Sequence, residues 1–315
     1  MIDFRYHLVS LIAVFLAVAL GIVIGTTALN EPILTDLERQ VSALTEDKRS
    51  LEDQTQRLQT QLDTTEAFEQ AVGPALVNGT LEGQRVLLVS TNEDVAPETV
   101  EQVTALVGEA GGSVSGTLSV LPAYSDPSTA ASLQSYATGG GLPAGIELPP
   151  TDDAGQLVGS LLAQVLMVPA EGAEPDAAAA SSVLSGLSSL EVLSADRDTV
   201  APADYAIVLT QDAFTGEGAA DRNATLMELV AALDDAGSGA VVAGDAASAG
   251  ENGLVGAIRA DPDLSASVST VDNVPTAAGR ISAVLALSAE AEGTSGTYGT
   301  AEGTQPVPPV PAAVP

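Results

Sequence analysis

The sequence predicts three parts in series: an N-terminal transmembrane helix, a coiled-coil helix, and an α/β domain with a mostly parallel sheet flanked by helices. Three observations carry this. Residues 8–29 hold no charged side chain. Leucine then recurs every seventh residue from Leu37 to Leu58. Beyond Leu81, short Val/Ile/Leu/Ala runs alternate with helical stretches, the pattern of βαβ units. The expected bounds are 1–7 for a cytoplasmic tail, 8–29 for the membrane helix and 31–72 for a coiled-coil stalk. An extracytoplasmic α/β domain follows over 81–292, then a disordered Pro-rich tail over 293–315. A length of 315 residues suits about two folded units.

At about 1.5 Å per residue, a helix over Leu8–Leu29 reaches roughly 33 Å and spans a hydrocarbon core of about 30 Å. The rival reading is a cleaved signal peptide, but the apolar run exceeds the roughly 7–15 residues such signals use. Arg5 precedes the span, whereas Glu31, Asp36 and Glu38 follow it before the first basic residue, Arg39. The positive-inside rule therefore places the N-tail in the cytoplasm and the bulk of the chain outside a cell membrane crossed once. Ala13, Ala17, Gly21 and Gly25 recur every fourth residue. Such a small-residue stripe lets two membrane helices approach closely.

Pro32 either opens a new helix or kinks a continuous one. Beyond it Leu37, Leu44, Leu51 and Leu58 share one heptad position, and Leu34, Val41, Lys48, Thr55 and Leu62 share the other. This is a two-stranded coiled-coil pattern, with Lys48 and Thr55 weakening the seam while fixing its register. The alternative is an amphipathic helix packed on its own domain, which would carry a wider apolar stripe. At about 1.5 Å per residue, the coil over 34–65 is roughly 48 Å long. The expected site residues are thus those of a homodimer: Ala13, Ala17, Gly21 and Gly25 in the membrane, then Leu37, Val41, Leu44, Leu51, Leu58 and Leu62 in the stalk. Gly73-Pro74 is expected to end this helix.

In the α/β part, strands are predicted at Arg85–Ser90, Val114–Val120, Tyr205–Leu209, Ala240–Ala243 and Val268–Val271, with an edge strand near Leu190–Leu193. Helices are predicted at Pro97–Ala110, Leu157–Met167, Ala177–Leu187, Asp221–Asp234, Leu254–Arg259 and Thr276–Glu290. Leu157–Met167 is the most apolar and reads as a buried core helix. Residues 123–150 are rich in Gly, Pro and Ser and read as a surface excursion. The tail from Thr294 has no apolar period and reads as extended or disordered.

Composition leaves little room for catalysis. There is no Cys, which excludes disulfides, Cys-ligated zinc and iron–sulfur clusters. His7 is the one histidine, so neither a Ser-His-Asp triad nor a His metal site has residues in the body of the chain. A net charge of −32 repels phosphate backbones and argues against nucleic acid as a partner. There is no GxGxxG and no GxxxxGK[ST]. Asp245 and Asp272 follow strands, where a carboxylate binds a metal, activates water or, as favoured here, caps a turn. Five arginines, Arg85, Arg197, Arg222, Arg259 and Arg280, face 31 acids beyond position 71, a net of −26. Their expected role is to pair with carboxylates, the alternative being an anion site on Arg259 or Arg280. No enzyme activity and no cofactor are expected.

The opening Met1-Ile2-Asp3-Phe4-Arg5-Tyr6-His7-Leu8-Val9-Ser10-Leu11 runs into Ala13–Ala17 and Gly21-Ile22-Val23-Ile24-Gly25. With the leucine heptads, Val271-Asp272-Asn273, Gly279-Arg280 and Tyr298-Gly299, it resembles the actinobacterial copper transporter MctB family over essentially the full chain. That resemblance implies an envelope protein in copper transport (efflux) or homeostasis, with a proposed channel role. It also implies a second reading, a non-enzymatic dimeric scaffold of the envelope or divisome that regulates a cell-wall hydrolase partner. The residues supply few soft copper ligands: no Cys, and only Met1, Met167 and Met227.

Overall fold

The computed structural model describes residues 4–92, 94–169, 173–195 and 200–310, with the side chains of 26–35 and 38 outside that description. Arg197, the Leu34 side chain and the last five residues of the tail therefore lie outside it. The chain divides into residues 1–65 and 66–315.

One helix, α1 (Phe4–Val77), supplies the first unit and opens the second. The helix is continuous through position 32, so Pro32 does not open a new helix.

The second unit is a seven-stranded sheet wrapped on both faces. Its elements in order are β1 (Arg85–Ser90), α2 (Pro97–Glu109), β2 (Ser113–Val120), α3 (Ala130–Thr138), α4 (Ala154–Leu166) and α5 (Ala177–Ser189). Then come β3 (Leu193–Ala195), β4 (Tyr205–Leu209), α6 (Ala219–Ala236), β5 (Ala240–Ala243), α7 (Leu254–Ala260) and α8 (Leu264–Ser267). The last elements are β6 (Ser269–Val271), α9 (Ala277–Ala291) and β7 (Thr297–Tyr298). The strand order is β3-β2-β1-β4-β5-β6-β7, all parallel except β3, which pairs antiparallel to β2 at the edge.

Strand alternation builds two cores. Leu87 and Val89 of β1 and Val208 of β4 face a layer containing α4, α5 and α6. Val86, Leu88 and Ile207 face the opposite layer of α2 and α9, with Val77 from the end of α1. Strands buried on both sides must be apolar at every position, which is why β4 and β5 read as unbroken Tyr-Ala-Ile-Val-Leu and Ala-Val-Val-Ala. Side chains fix the starts of α4 and α9. Asp153 accepts from the N–H groups of Gly155 and Gln156, and Thr276 accepts from Gly279. As expected, α4 is the buried helix, with Leu157, Val158, Leu161 and Leu162 at most 2% exposed.

Two expectations fail. The helix does not end at Gly73-Pro74 but continues to Val77. A proline removes one helical N–H. Here tertiary contacts hold the turn in place. Glu69 accepts from the backbone N–H of Ala278, and a Cβ on Gly73 would lie 2.9 Å from Ile281 Cδ1, so this glycine permits close packing on α9. The tail expected to be disordered over 293–315 carries β7, and Tyr298 is 1% exposed. Its order comes from partners distant in sequence. The excursion over 123–150 also contains α3.

Candidate interaction face and switch-point crevice

In the first unit the expected dimerisation residues lie exposed. Leu37, Val41, Leu44, Leu51, Leu58 and Leu62 are 56–70% exposed. A Cβ built on Gly21 or Gly25 meets nothing within 4 Å, and Ala13 and Ala17 are exposed as well. Phe4–Gly25 is long and apolar enough to cross a membrane; the side chains of 26–29, inside the expected span, lie outside the description. This window takes in Phe4–His7, with Arg5, ahead of the expected start at Leu8.

In the second unit, Asp272 and Arg259 form a closed network. Asp272, fully buried, accepts from Thr300 N at 2.7 Å, Ala301 N at 3.2 Å and Arg259 Nη1 at 2.9 Å. Arg259 also donates from Nε to Thr270 Oγ1 at 2.9 Å and from Nη2 to the carbonyl of Tyr298 at 3.0 Å. Burial works to raise the Asp272 pKa, but the two backbone N–H groups and Arg259 outweigh it and hold the carboxyl below its usual range. Gly299 has φ of 129°, and a Cβ there would strike Asp272 Oδ1 at 2.1 Å. The network thus ties the C-terminal strand to the sheet.

The other described arginines of this unit are paired too. Arg280 donates to the carbonyls of Val274 and Pro275 and lies 3.5 Å from Glu66. Arg85 holds Asp204 and Glu174, and Arg222 holds Asp126 at 2.7 Å. With their guanidinium donors so engaged, Arg259 and Arg280 do not form the anion site weighed as an alternative. Asp245 accepts from the N–H groups of Asp212 and Ser248, the turn role favoured from sequence.

The chain reverses direction across the sheet between β1 and β4, because β1 leads outward to β2 and β4 leads the other way to β5. Open α/β sheets hold ligands at such a switch point, outside the carboxyl ends of the strands. A crevice of about 190 Å³ lies there, lined by Thr91, Asn92 and Asp94 after β1 and by Thr210, Asp212 and Phe214 after β4. Asp212 has φ of 59°, a left-handed conformation uncommon for a non-glycine residue. Strand ends are legible in the sequence, but strand order is not, so nothing there marked these two ends as neighbours.

A second polar cluster joins α4 to α6. Burial, then the adjacent Asp153 carboxylate, push the Glu228 pKa up to about 7. Among the described residues, no group of three or more His, Cys, Asp or Glu is arranged to hold a metal ion.

Residues 1–309 match the family model described as "Copper transport outer membrane protein, MctB". The chain is 33% identical over 291 residues to the Copper transporter MctB of Mycobacterium tuberculosis, covering 91% of this chain and 92% of that protein. The same figures hold for the protein of that name in Mycobacterium bovis, and the one in Mycobacterium leprae is 32% identical over 301 residues. The chain therefore belongs to the MctB family.

Proposed function

We propose, from membership of the MctB family, that this chain is a membrane-anchored envelope protein acting in copper transport or copper homeostasis. The observation that carries this is the family match over residues 1–309, which includes the apolar N-terminal helix and the sheet domain together. Copper is cargo in this reading. The chain has no cysteine, and Met167 is 1% exposed, so soft side chains to hold Cu(I) are scarce. Carboxylates are abundant but suit harder ions. The full chain in detergent, titrated with Cu(I) against a competing chelator, is expected to show no stoichiometric micromolar binding. Stoichiometric uptake would return the copper chemistry to the acidic side chains.

The working unit in this proposal is a parallel homodimer, with its N-tail cytoplasmic and its sheet domain extracytoplasmic. Support comes from the exposed leucines at heptad spacing, the Ala13–Gly25 stripe, and the acidic residues that follow the span. The proposal assigns the chain no enzyme activity. A second reading is favoured by the same exposed stripe. In it the dimer is an envelope or divisome scaffold, and copper sensitivity is secondary to regulation of a cell-wall hydrolase partner.

One strain separates the two. Deletion is expected to raise copper sensitivity, with restoration by the wild-type gene. Cell-separation defects at unchanged copper tolerance would replace the first reading with the second. Protease added to spheroplasts is expected to degrade the sheet domain; full protection would reverse the orientation.

A further inference from the structure

The crevice between the ends of β1 and β4 has no role in the reading above, and its lining is chemically specific. Its depth is neutral and hydroxyl-rich. Thr91, Ser125 and Thr210 line it and are each less than 10% exposed. Hydroxyls both donate and accept, so they match a ligand that does the same. Asn92 sits beside them, its Nδ2 donating to the carbonyl of Gln211 and its Oδ1 buried without a partner.

The rim carries charge of one sign. Asp94 and Asp212 are exposed carboxylates, and among the described residues no arginine or lysine lines the crevice. Arg222 lies over the Phe214 ring at 5.7 Å but is paired with Asp126. Phosphate and carboxylate ligands are therefore disfavoured. One wall is apolar, made by Pro122, Phe214 and Leu254. The left-handed Asp212 matters here because residues held in sparsely populated backbone regions cluster at ligand clamps. Size sets the last limit. About 190 Å³ is well below the roughly 300–1,000 Å³ of sites for drug-sized molecules, so a single ring fits.

We infer that this crevice is a binding site for one neutral polyhydroxylated ring, a monosaccharide unit. Its hydroxyls meet Thr91, Ser125 and Thr210, its apolar face meets Phe214, and the carboxylates of Asp94 and Asp212 accept from hydroxyls at the mouth. A simple ammonium ligand satisfies the rim but leaves the hydroxyl-lined floor and the apolar wall without matching groups.

Saturation-transfer NMR on the full chain in detergent tests this with D-glucose, N-acetyl-D-glucosamine and choline as separate probes, and phosphorus NMR line broadening tests inorganic phosphate, which has no carbon-bound proton. At least one of the two sugars is expected to bind saturably at millimolar concentration, while choline and phosphate do not. Thr210→Val keeps the side-chain shape and is expected to weaken sugar binding by roughly tenfold, the effect of one buried hydrogen bond lost. Ser125→Ala serves as a second variant and is expected to weaken binding too. Circular dichroism checks that each variant is folded. No saturable transfer from either sugar, preferential binding of choline or phosphate, or sugar binding unchanged in folded Thr210→Val and Ser125→Ala would each overturn the assignment.

Discussion

The two units use the same aliphatic residues in opposite ways. In the sheet unit, Leu87, Leu161 and Leu287 are fully buried among partners from the same chain. In the helical unit, Leu44 is 70% exposed and Leu62 is 64% exposed. Burying a leucine side chain is worth about 1.5–3 kcal/mol, so the second unit gains from its own leucines what the first leaves unrealised. A helix that repeats an exposed leucine every seven residues is, as proposed above, one half of an interface. A sheet with both faces covered is finished. The difference teaches where to look for assembly in this molecule, and the homodimer proposed above rests on it.

The largest expected effect breaks the comparison at the exposed face. Leu44→Asp with Leu51→Asp would set charges into the proposed seam. A buried, unpaired carboxylate costs several kcal/mol, more than a coil of this length tolerates. The double variant is expected to be monomeric by light scattering in detergent, while the sheet unit keeps its circular dichroism. A wild type that is already monomeric at high concentration would remove the half-interface reading.

The next effect tests how finished the sheet unit is. Asp272→Ala leaves the Arg259 guanidinium in place, its side chain 15% exposed, without its carboxylate. Breaking a buried pair in this way costs about 3–5 kcal/mol. Urea unfolding is expected to shift to lower denaturant by a corresponding amount, with earlier proteolysis around residues 297–305. The oligomeric state should not change, since assembly is proposed to lie in the other unit.

The smallest effect is a pH slope confined to the sheet unit. Glu228 has a folded pKa near 7 against an ordinary value of 4.5. A carboxyl with a raised folded pKa binds its proton more tightly when folded. Its stabilisation is therefore present below about pH 4.5 and is lost as pH rises through about 7. Asp234, pushed up to about 6 by burial, contributes with the same sign. Asp272, with a lowered pKa, contributes with the opposite sign at the acid end. Thermal unfolding of Glu228→Gln is expected to fall less steeply from pH 5 to pH 8 than that of wild type. Equal slopes would show that solvent reaches Glu228 freely.

Much of the sheet was legible because its strands are short and centred on apolar runs bounded by polar or turn residues, as Val86–Val89 within Arg85–Ser90 and Ala240–Ala243 are. The flanking helices followed from length and from Pro97 or Thr276 at their starts. What stayed hidden depends on contacts between distant residues. Thr297–Tyr298 is too short to show a period, and its place is set by Arg259 and Asp272. Pro74 read as a breaker because nothing local reveals that Glu69 and Ile281 hold that turn. The crevice escaped for the same reason, since Asn92 and Asp212 are brought together by strand order alone. The heptad residues were legible from spacing; whether a second copy covers them is the matter of the first experiment.

The anchoring of β7 also sets an order of events during synthesis. Thr300 follows Asp272 by 28 residues, and Tyr298 follows Arg259 by 39. At about 5–20 residues per second, the carboxylate and the guanidinium wait on the order of seconds for the acceptors and donors that complete them. Until then the β6 edge is unpaired and open to wrong pairing. A chain cut short before this point keeps both charges and the bare edge permanently.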